Sequence, residues 1–116
     1  MRKTDKKVDN QIRLTLTDVC EKALKKVEGF QWLTHQVNYS NFPQSLRITC
    51  IFETNEQLSV FSSGENKQLL DNLIQSNLSS IGIKLKTPKR HIYYDSEEKC
   101  AKEHNGNWSS RLDQSH

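Results

Sequence analysis

Cys20, Cys50 and Cys100 are the side chains of this sequence with the widest range of chemistry. Thiolates bind zinc and act as nucleophiles, and Cys100 and His104 have the four-residue spacing that places two metal ligands on one helix face. Cys20 and Cys50, however, fall at apolar positions of periodic segments, where cysteine behaves as a small hydrophobe. The cysteines also form no C-x-x-C pair. We therefore expect neither a metal site nor a disulfide framework.

No complete catalytic motif accompanies these cysteines. A cysteine nucleophile needs a histidine or a helix N-terminus to stabilise its thiolate. Cys100 has His91 and His104 near it in the sequence, but no oxyanion-hole motif follows it. The acidic run at 95–98 is explained by a helix start, and the four glycines stand singly at element boundaries. We expect no catalytic residues, no enzymatic activity and no cofactor, unless Cys100, His91 and a carboxylate meet in a cleft.

Clustered positive charge is the second chemical feature of the chain. The formal net charge is +3, and the basic residues concentrate near the N-terminus and again at 84–91. Basic side chains neutralise phosphates, and aromatic rings stack on single-stranded bases. The candidate nucleic-acid-binding residues are therefore Lys84, Lys86, Lys89, Arg90, Trp32 and Tyr93. The alternative interpretation is that these lysines are simply solvated and that these aromatic residues belong to the core.

The length of 116 residues predicts one domain, because most domains contain roughly 100 to 150 residues. We expect a disordered tail at 1–7, a folded domain at 8–108 and a flexible tail at 109–116. No apolar stretch is long enough for a signal peptide or a membrane span. Together with the unpaired cysteines, this favours a cytoplasmic protein with no membrane partner.

Helical spacing of apolar residues predicts two main helices and two short ones. The first main helix starts at Val8 and ends at Gly29, and the second covers 65–80. A capping box of Thr54 and Gln57 starts a short helix before the second main helix. Another short helix follows Asp95, its predicted N-cap, and ends at 105–106.

Alternating apolar residues predict three strands, at 30–39, 45–54 and 91–94. The middle segment has Leu46, Ile48, Cys50 and Phe52 on one face, so it is the expected central strand. Turn-forming residues at 40–44 indicate an antiparallel hairpin with the first strand. On the first strand, the alternation groups Phe30, Trp32 and Thr34 together on one face, opposite Leu33.

The predicted fold class is α+β, with about three antiparallel strands packed against two main helices. The order is helix, strand, strand, helix pair, strand, short helix. This order resembles that of the type II KH domain, a single-stranded nucleic-acid-binding module. The G-x-x-G loop that clamps the backbone in KH domains is absent, because residues 63–66 read Ser-Gly-Glu-Asn.

Three parts of the sequence resemble a family of small uncharacterised gammaproteobacterial proteins. They are 29–35, the 38–47 region with Asn-Tyr and Phe-Pro, and 95–98 together with 104–108. Some members are labelled Fis-like transcriptional regulators, and the segment 78–84 resembles the turn of the Fis helix-turn-helix. Pro88 and the strand-like 91–94 stand where a recognition helix would run. We therefore do not assign sequence-specific DNA binding.

The function expected from the sequence is that of a small cytoplasmic binding module that contacts nucleic acid through its basic segment. The alternative is a protein-interaction or assembly module, acting as a homodimer or an adaptor. In that case, an exposed sheet face with Phe30, Trp32 and Ile51 would receive the partner.

Overall fold

The computed structural model describes residues 3–114 as five α-helices around a three-stranded sheet, which confirms the α+β class. The elements in chain order are α1 (Lys3–Lys26), β1 (Phe30–Gln36), β2 (Arg47–Phe52), α2 (Asn55–Ser63), α3 (Glu65–Ser80), β3 (Ile92–Ser96), α4 (Glu97–His104) and α5 (Trp108–Gln114). Two short 3-10 helices cover Tyr39–Asn41 and Pro88–Arg90. Within this range, no helix has the length and apolar character needed to cross a membrane.

The strand order is β1-β2-β3, so β2 is the central strand, as predicted. β1 and β2 form the expected antiparallel hairpin, with Leu33 opposite Cys50. The prediction of a purely antiparallel sheet is wrong, because β3 pairs with β2 in parallel and Ile92 lies opposite Ile48. Residues 53–91 contain α2 and α3 and return the chain to the end where β2 began. A parallel pair requires such a crossover connection.

The helix-facing side of the sheet forms the core. Leu46, Ile48, Cys50 and Phe52 are at most 1% exposed, as the alternation predicted. α1 and α3 cover this side with fully or almost fully buried side chains: Ile12, Leu16, Val19, Ala23, Leu70, Ile74 and Leu78. Burying an aliphatic side chain of this size contributes about 1.5–3 kcal/mol. The two predicted main helices therefore supply most of the layer that stabilises the sheet.

A β-bulge changes the predicted faces of β1. The register shifts between Phe30 and Trp32, so these two residues do not share a face as the simple alternation indicated. Phe30 is buried in the core, with its ring edge against Phe52 at a centroid distance of 5.9 Å. Trp32 lies on the other side of the sheet, beside Ile51. The extra residue in a bulge reverses the alternation and causes this difference.

Helices α4 and α5 cover the second side of the sheet near Trp32. The Glu97 carboxylate accepts hydrogen bonds from the indoles of Trp32 and Trp108, at 2.6 and 3.0 Å. Ile51 is fully buried there, as is Cys100. The prediction of an exposed sheet face formed by Phe30, Trp32 and Ile51 is therefore wrong. Phe30 and Ile51 are buried, and Trp32 contacts the C-terminal helices.

The side chain of Asp95 has a different role from the predicted one. Ser96 is the N-cap of α4, since its hydroxyl accepts from the Lys99 amide. Asp95 instead accepts from the Arg111 guanidinium, with Oδ1 and Nη2 2.9 Å apart. This ion pair joins β3 to α5, so the C-terminal helix is attached to the sheet by a largely buried pair of charges.

The described elements extend into both predicted tails. α1 begins at Lys3, five residues before the predicted start at Val8. α5 occupies most of 109–116, and Trp108 begins this helix. The remaining residues of the two tails, 1–2 and 115–116, lie outside the described part of the chain.

Replacing Glu97 with glutamine should destabilise the protein by about 1–3 kcal/mol. Glutamine has one acceptor oxygen in place of two, so one of the two part-buried indole N–H groups loses its partner. Urea unfolding measures the change in the free energy of unfolding. Glu56→Gln is the matched control, because Glu56 is exposed. Equal free energies for the two variants would contradict a stabilising role for Glu97.

Candidate nucleic-acid interface

The predicted basic segment lies in the connection between α3 and β3. Ile83 is buried and Leu85 packs against the core, whereas the alternating Lys84 and Lys86 are exposed. The 3-10 helix Pro88–Arg90 then exposes both of its basic side chains. The four candidate basic residues are therefore all on the surface, anchored by apolar neighbours.

A groove runs beside this segment along the outer edge of β3. We call it the β3-edge groove; its volume is about 450 Å³, and its lining includes Lys67 and Asp71 of α3, Lys89, Tyr93 and Tyr94. The Asp71 carboxylate accepts from Tyr94 and pairs with Lys67 at 3.4 Å. Partial burial raises the pKa of Asp71, and Lys67 opposes this effect. The one carboxylate in the groove is thus matched by a neighbouring cation.

The main chain of β3 adds hydrogen-bonding groups to this groove. The Ile48 amide donates to the His91 carbonyl at 2.7 Å, which fixes the phase of the β2–β3 ladder. Because bonding alternates along a parallel strand, the amides and carbonyls of Ile92 and Tyr94 point away from β2. This edge pairs with no other described strand.

Carboxylates are absent from the two segments that meet at this end of the sheet. Residues 29–52 and residues 72–94 contain no aspartate or glutamate. The first segment supplies β1 and β2, including Arg47, and the second supplies the basic segment and most of β3. Positive charge is therefore concentrated by the fold, although the net charge of the whole chain is only +3.

Tyr93 belongs to this surface, but one face of its ring is covered. The Arg47 guanidinium carbon lies 3.6 Å from the ring centroid, in a cation–π contact. The Tyr93 hydroxyl donates to the Arg90 carbonyl at 2.9 Å. The structure thus brings Tyr93, Lys89 and Arg90 together.

Trp32 lies apart from these residues. It is on β1, two strands away from Tyr93 and roughly 10 Å across the sheet. Its ring contacts Trp108 edge to face, at a centroid distance of 5.1 Å, in addition to its bond with Glu97. These contacts indicate that Trp32 attaches the C-terminal helices to the sheet.

The turn between α2 and α3 occupies the position of the KH clamp loop in the chain order. Gly64 has a φ of −107°, a value open to any residue, so its conformation does not require glycine. Glu65 follows it, and Glu56 lies in the same groove as Gly64. An acidic corner of this kind repels phosphates. A ligand with phosphate groups is therefore better matched by the β3-edge groove.

A polar cluster that the sequence reasoning missed joins α1 to β1. Asp9 Oδ1 lies 3.0 Å from His35 Nε2 and accepts from the Tyr39 hydroxyl at 2.7 Å, while Arg13 contacts the other oxygen at 3.0 Å. The cluster borders a cavity of about 580 Å³. His35 and Tyr39 stand 26 and 30 positions after Asp9 in the sequence, so no local pattern indicates their contact with it.

The pKa values in this cluster shift in opposite directions. The hydrogen bond with His35, assisted by Tyr39 and Arg13, holds the pKa of Asp9 below its ordinary value of 3.8 against the effect of burial. Burial and the neighbouring carboxylate raise the pKa of Tyr39 well above 10. An ionised Asp9 between neutral or cationic donors stabilises the fold. The cluster is therefore explained as an attachment of α1 to β1.

All three cysteines are free thiols, and no disulfide joins them. Cys50 and Cys100 are buried, Cys20 is partly exposed, and burial raises the pKa of all three thiols. His91 hydrogen-bonds to the Leu46 carbonyl. Within residues 3–114, no group of three or more His, Cys, Asp or Glu side chains is arranged to hold a metal ion.

Replacing Asp9 with asparagine should lower the free energy of unfolding at pH 7, and this difference should vanish in acid. Because the folded-state pKa of Asp9 is lowered, its contribution is complete above its unfolded pKa, near 4, and is lost as the pH falls through the lower folded value. Urea unfolding at a series of pH values from 7 into the acid range measures the difference in the free energy of unfolding between the variant and the unchanged protein. Asp18→Asn is the control, because Asp18 forms an exposed ion pair worth about 0–1 kcal/mol. A difference that persists unchanged in acid would contradict this explanation.

A thiol reagent should modify Cys20 in the folded protein and should modify Cys50 and Cys100 only after unfolding. The buried thiols of Cys50 and Cys100 are shielded from the reagent, whereas Cys20 is partly exposed. The reagent releases a chromophore for each thiol that it modifies, so absorbance gives the number of modified thiols before and after addition of urea. The Cys20→Ser variant shows whether the thiol that reacts in the folded protein is Cys20. Rapid modification of Cys100 in the folded protein would restore the hypothesis of a cysteine nucleophile.

Comparison with known proteins identifies no relative of this chain. No protein-family model, no curated protein and no solved structure matches this chain.

Proposed function

We propose that this protein is a small non-enzymatic binding module that holds single-stranded nucleic acid along the β3-edge groove. The observation that carries the proposal is the convergence of two carboxylate-free segments at this end of the sheet, with Lys84, Lys86, Lys89 and Arg90 exposed there. Phosphate contacts of this kind supply most of the affinity of nucleic-acid-binding proteins.

The groove favours a single strand over a duplex. β3 is five residues long, and its open edge offers the main-chain groups of Ile92 and Tyr94 between the walls of the groove. A single strand can place its phosphates against the lysines and its base edges or sugars against these groups. A duplex would present only its phosphates to such a narrow edge.

The Asp71–Lys67 pair gives the groove some selectivity. Asp71 and Lys67 line the groove from α3, whereas Lys89 lines it from the 3-10 helix Pro88–Arg90, in which the exposed Arg90 follows. We therefore place the phosphates on the side of Lys89 and Arg90. The α3 wall is left to the less charged parts of the ligand.

Replacing Lys89 and Arg90 together with glutamine should weaken binding of labelled single-stranded RNA and DNA and should flatten its salt dependence. Each lost phosphate contact reduces the slope of log affinity against log salt by about 0.7. Fluorescence anisotropy measures binding as the salt rises from about 50 mM. The matched control is Lys25→Gln with Lys26→Gln, which removes the same charge from the exposed end of α1.

Two results would overturn the proposal. One is the absence of binding to either single strand at about 50 mM salt. The other is an equal loss of affinity in the two double variants, since that would show a response to net charge without a defined site. Tighter binding to a duplex of the same length would reject the preference for a single strand.

A further inference from the structure

We infer that a second groove, between α1 and α2, binds a basic amphipathic helical segment of a partner protein. This inference goes beyond the proposed function, because it concerns another surface and a ligand of opposite charge. The α1–α2 groove has a volume of about 430 Å³, with Val27, Val60 and Phe61 among its apolar lining residues and Glu28 and Glu56 among its polar ones.

A close contact between Gly29 and the Gln57 side chain joins the end of α1 to the first turn of α2 at this groove. Gly29 follows α1 with a φ of +84°, and a Cβ at this position would lie 2.7 Å from the Cβ of Gln57. Only glycine allows this approach of the two elements. Gln57 is also fixed by the capping box with Thr54 at the start of α2. The groove is therefore formed before any ligand arrives, which lowers the entropic cost of binding.

One of the residues that line this groove is an exposed apolar side chain. Val60 is 67% exposed on α2 and precedes the buried Phe61. Leu24 on α1 is 53% exposed and stands three positions before the lining residue Val27. Among the described residues, four large hydrophobic side chains are exposed, and two of them are these. Such side chains are suited to the apolar face of an incoming helix.

The charge of the groove specifies the polar face of the partner. Two exposed glutamates line the groove, Glu28 just after α1 and Glu56 in the first turn of α2. Among residues 3–114, neither lysine nor arginine lines the groove. Lysine or arginine side chains next to an apolar anchor therefore match it, whereas an acidic peptide or a nucleic acid is repelled.

A selection experiment tests the inference. The full chain is immobilised and a phage-displayed library of random peptides about 11 residues long, enough for three helical turns, is selected on it. The enriched peptides should combine leucine, isoleucine or phenylalanine with lysine or arginine at helical spacing. The most enriched peptide is then synthesised with a fluorescent label, and a second version carries glutamate at every basic position.

Val60→Asp and Glu56→Lys should each weaken binding of the labelled basic peptide by about tenfold or more. Two matched controls should bind it as the unchanged protein does: Leu14→Asp, at an exposed leucine on α1 outside the groove, and Glu21→Lys, at an exposed glutamate. All four positions are exposed, and circular dichroism with thermal unfolding verifies the fold of each variant.

The inference is wrong if the selection enriches no peptides or acidic ones, or if the glutamate version of the peptide binds equally well. It is also wrong if Val60→Asp and Leu14→Asp have equal effects. These outcomes are separate from those of the nucleic-acid test, because Lys89→Gln with Arg90→Gln leaves the α1–α2 groove unchanged.

Discussion

Burial of β2 on both of its faces is the constraint on which the rest of this structure depends. Ile48, Cys50 and Phe52 lie under α1 and α3, while Ile51 on the opposite face lies under the C-terminal helices. Both of its edges are paired, with β1 and β3. The sequence of a strand enclosed in this way is a nearly continuous run of apolar residues, whereas a strand with one solvated face alternates apolar and polar residues. The helix that precedes β2 in the chain and the helices that follow it contribute to this enclosure.

The covering of the second face depends on polar contacts as much as on apolar ones. The Glu97 carboxylate satisfies two indoles, and the Asp95–Arg111 pair joins β3 to α5. Part-buried charges need such partners, and removal of one partner costs more than the pair itself contributes. Trp32 and Trp108 are thereby committed to the structure. The two grooves of the proposed functions lie elsewhere, at the edge of β3 and between α1 and α2.

The two proposed surfaces differ in charge because the fold sorts the charged residues of the chain. The carboxylate-free segments 29–52 and 72–94 meet at one end of the sheet, whereas Glu28 and Glu56 are placed on either side of one groove. A net charge of +3 gives no indication of this separation. According to the two proposals, the protein connects a nucleic-acid strand to a basic protein segment. The two ligands bind different surfaces and do not compete with each other.

The sequence by itself determined the α+β class, the central position of β2, the core face from Leu46 to Phe52 and the helix at 65–80, because each depends on local periodicity. It also located the exposed basic segment. Only the tertiary structure decided the direction of β3, which depends on the path of residues 53–91, and the inward position of Phe30, which depends on one bulge. The contacts of Asp9 with His35 and of Glu97 with Trp32 were likewise beyond sequence reasoning, because these partners are 26 and 65 residues apart and meet through packing. Periodicity determines which face of an element is buried, but long-range packing determines which side chains become neighbours.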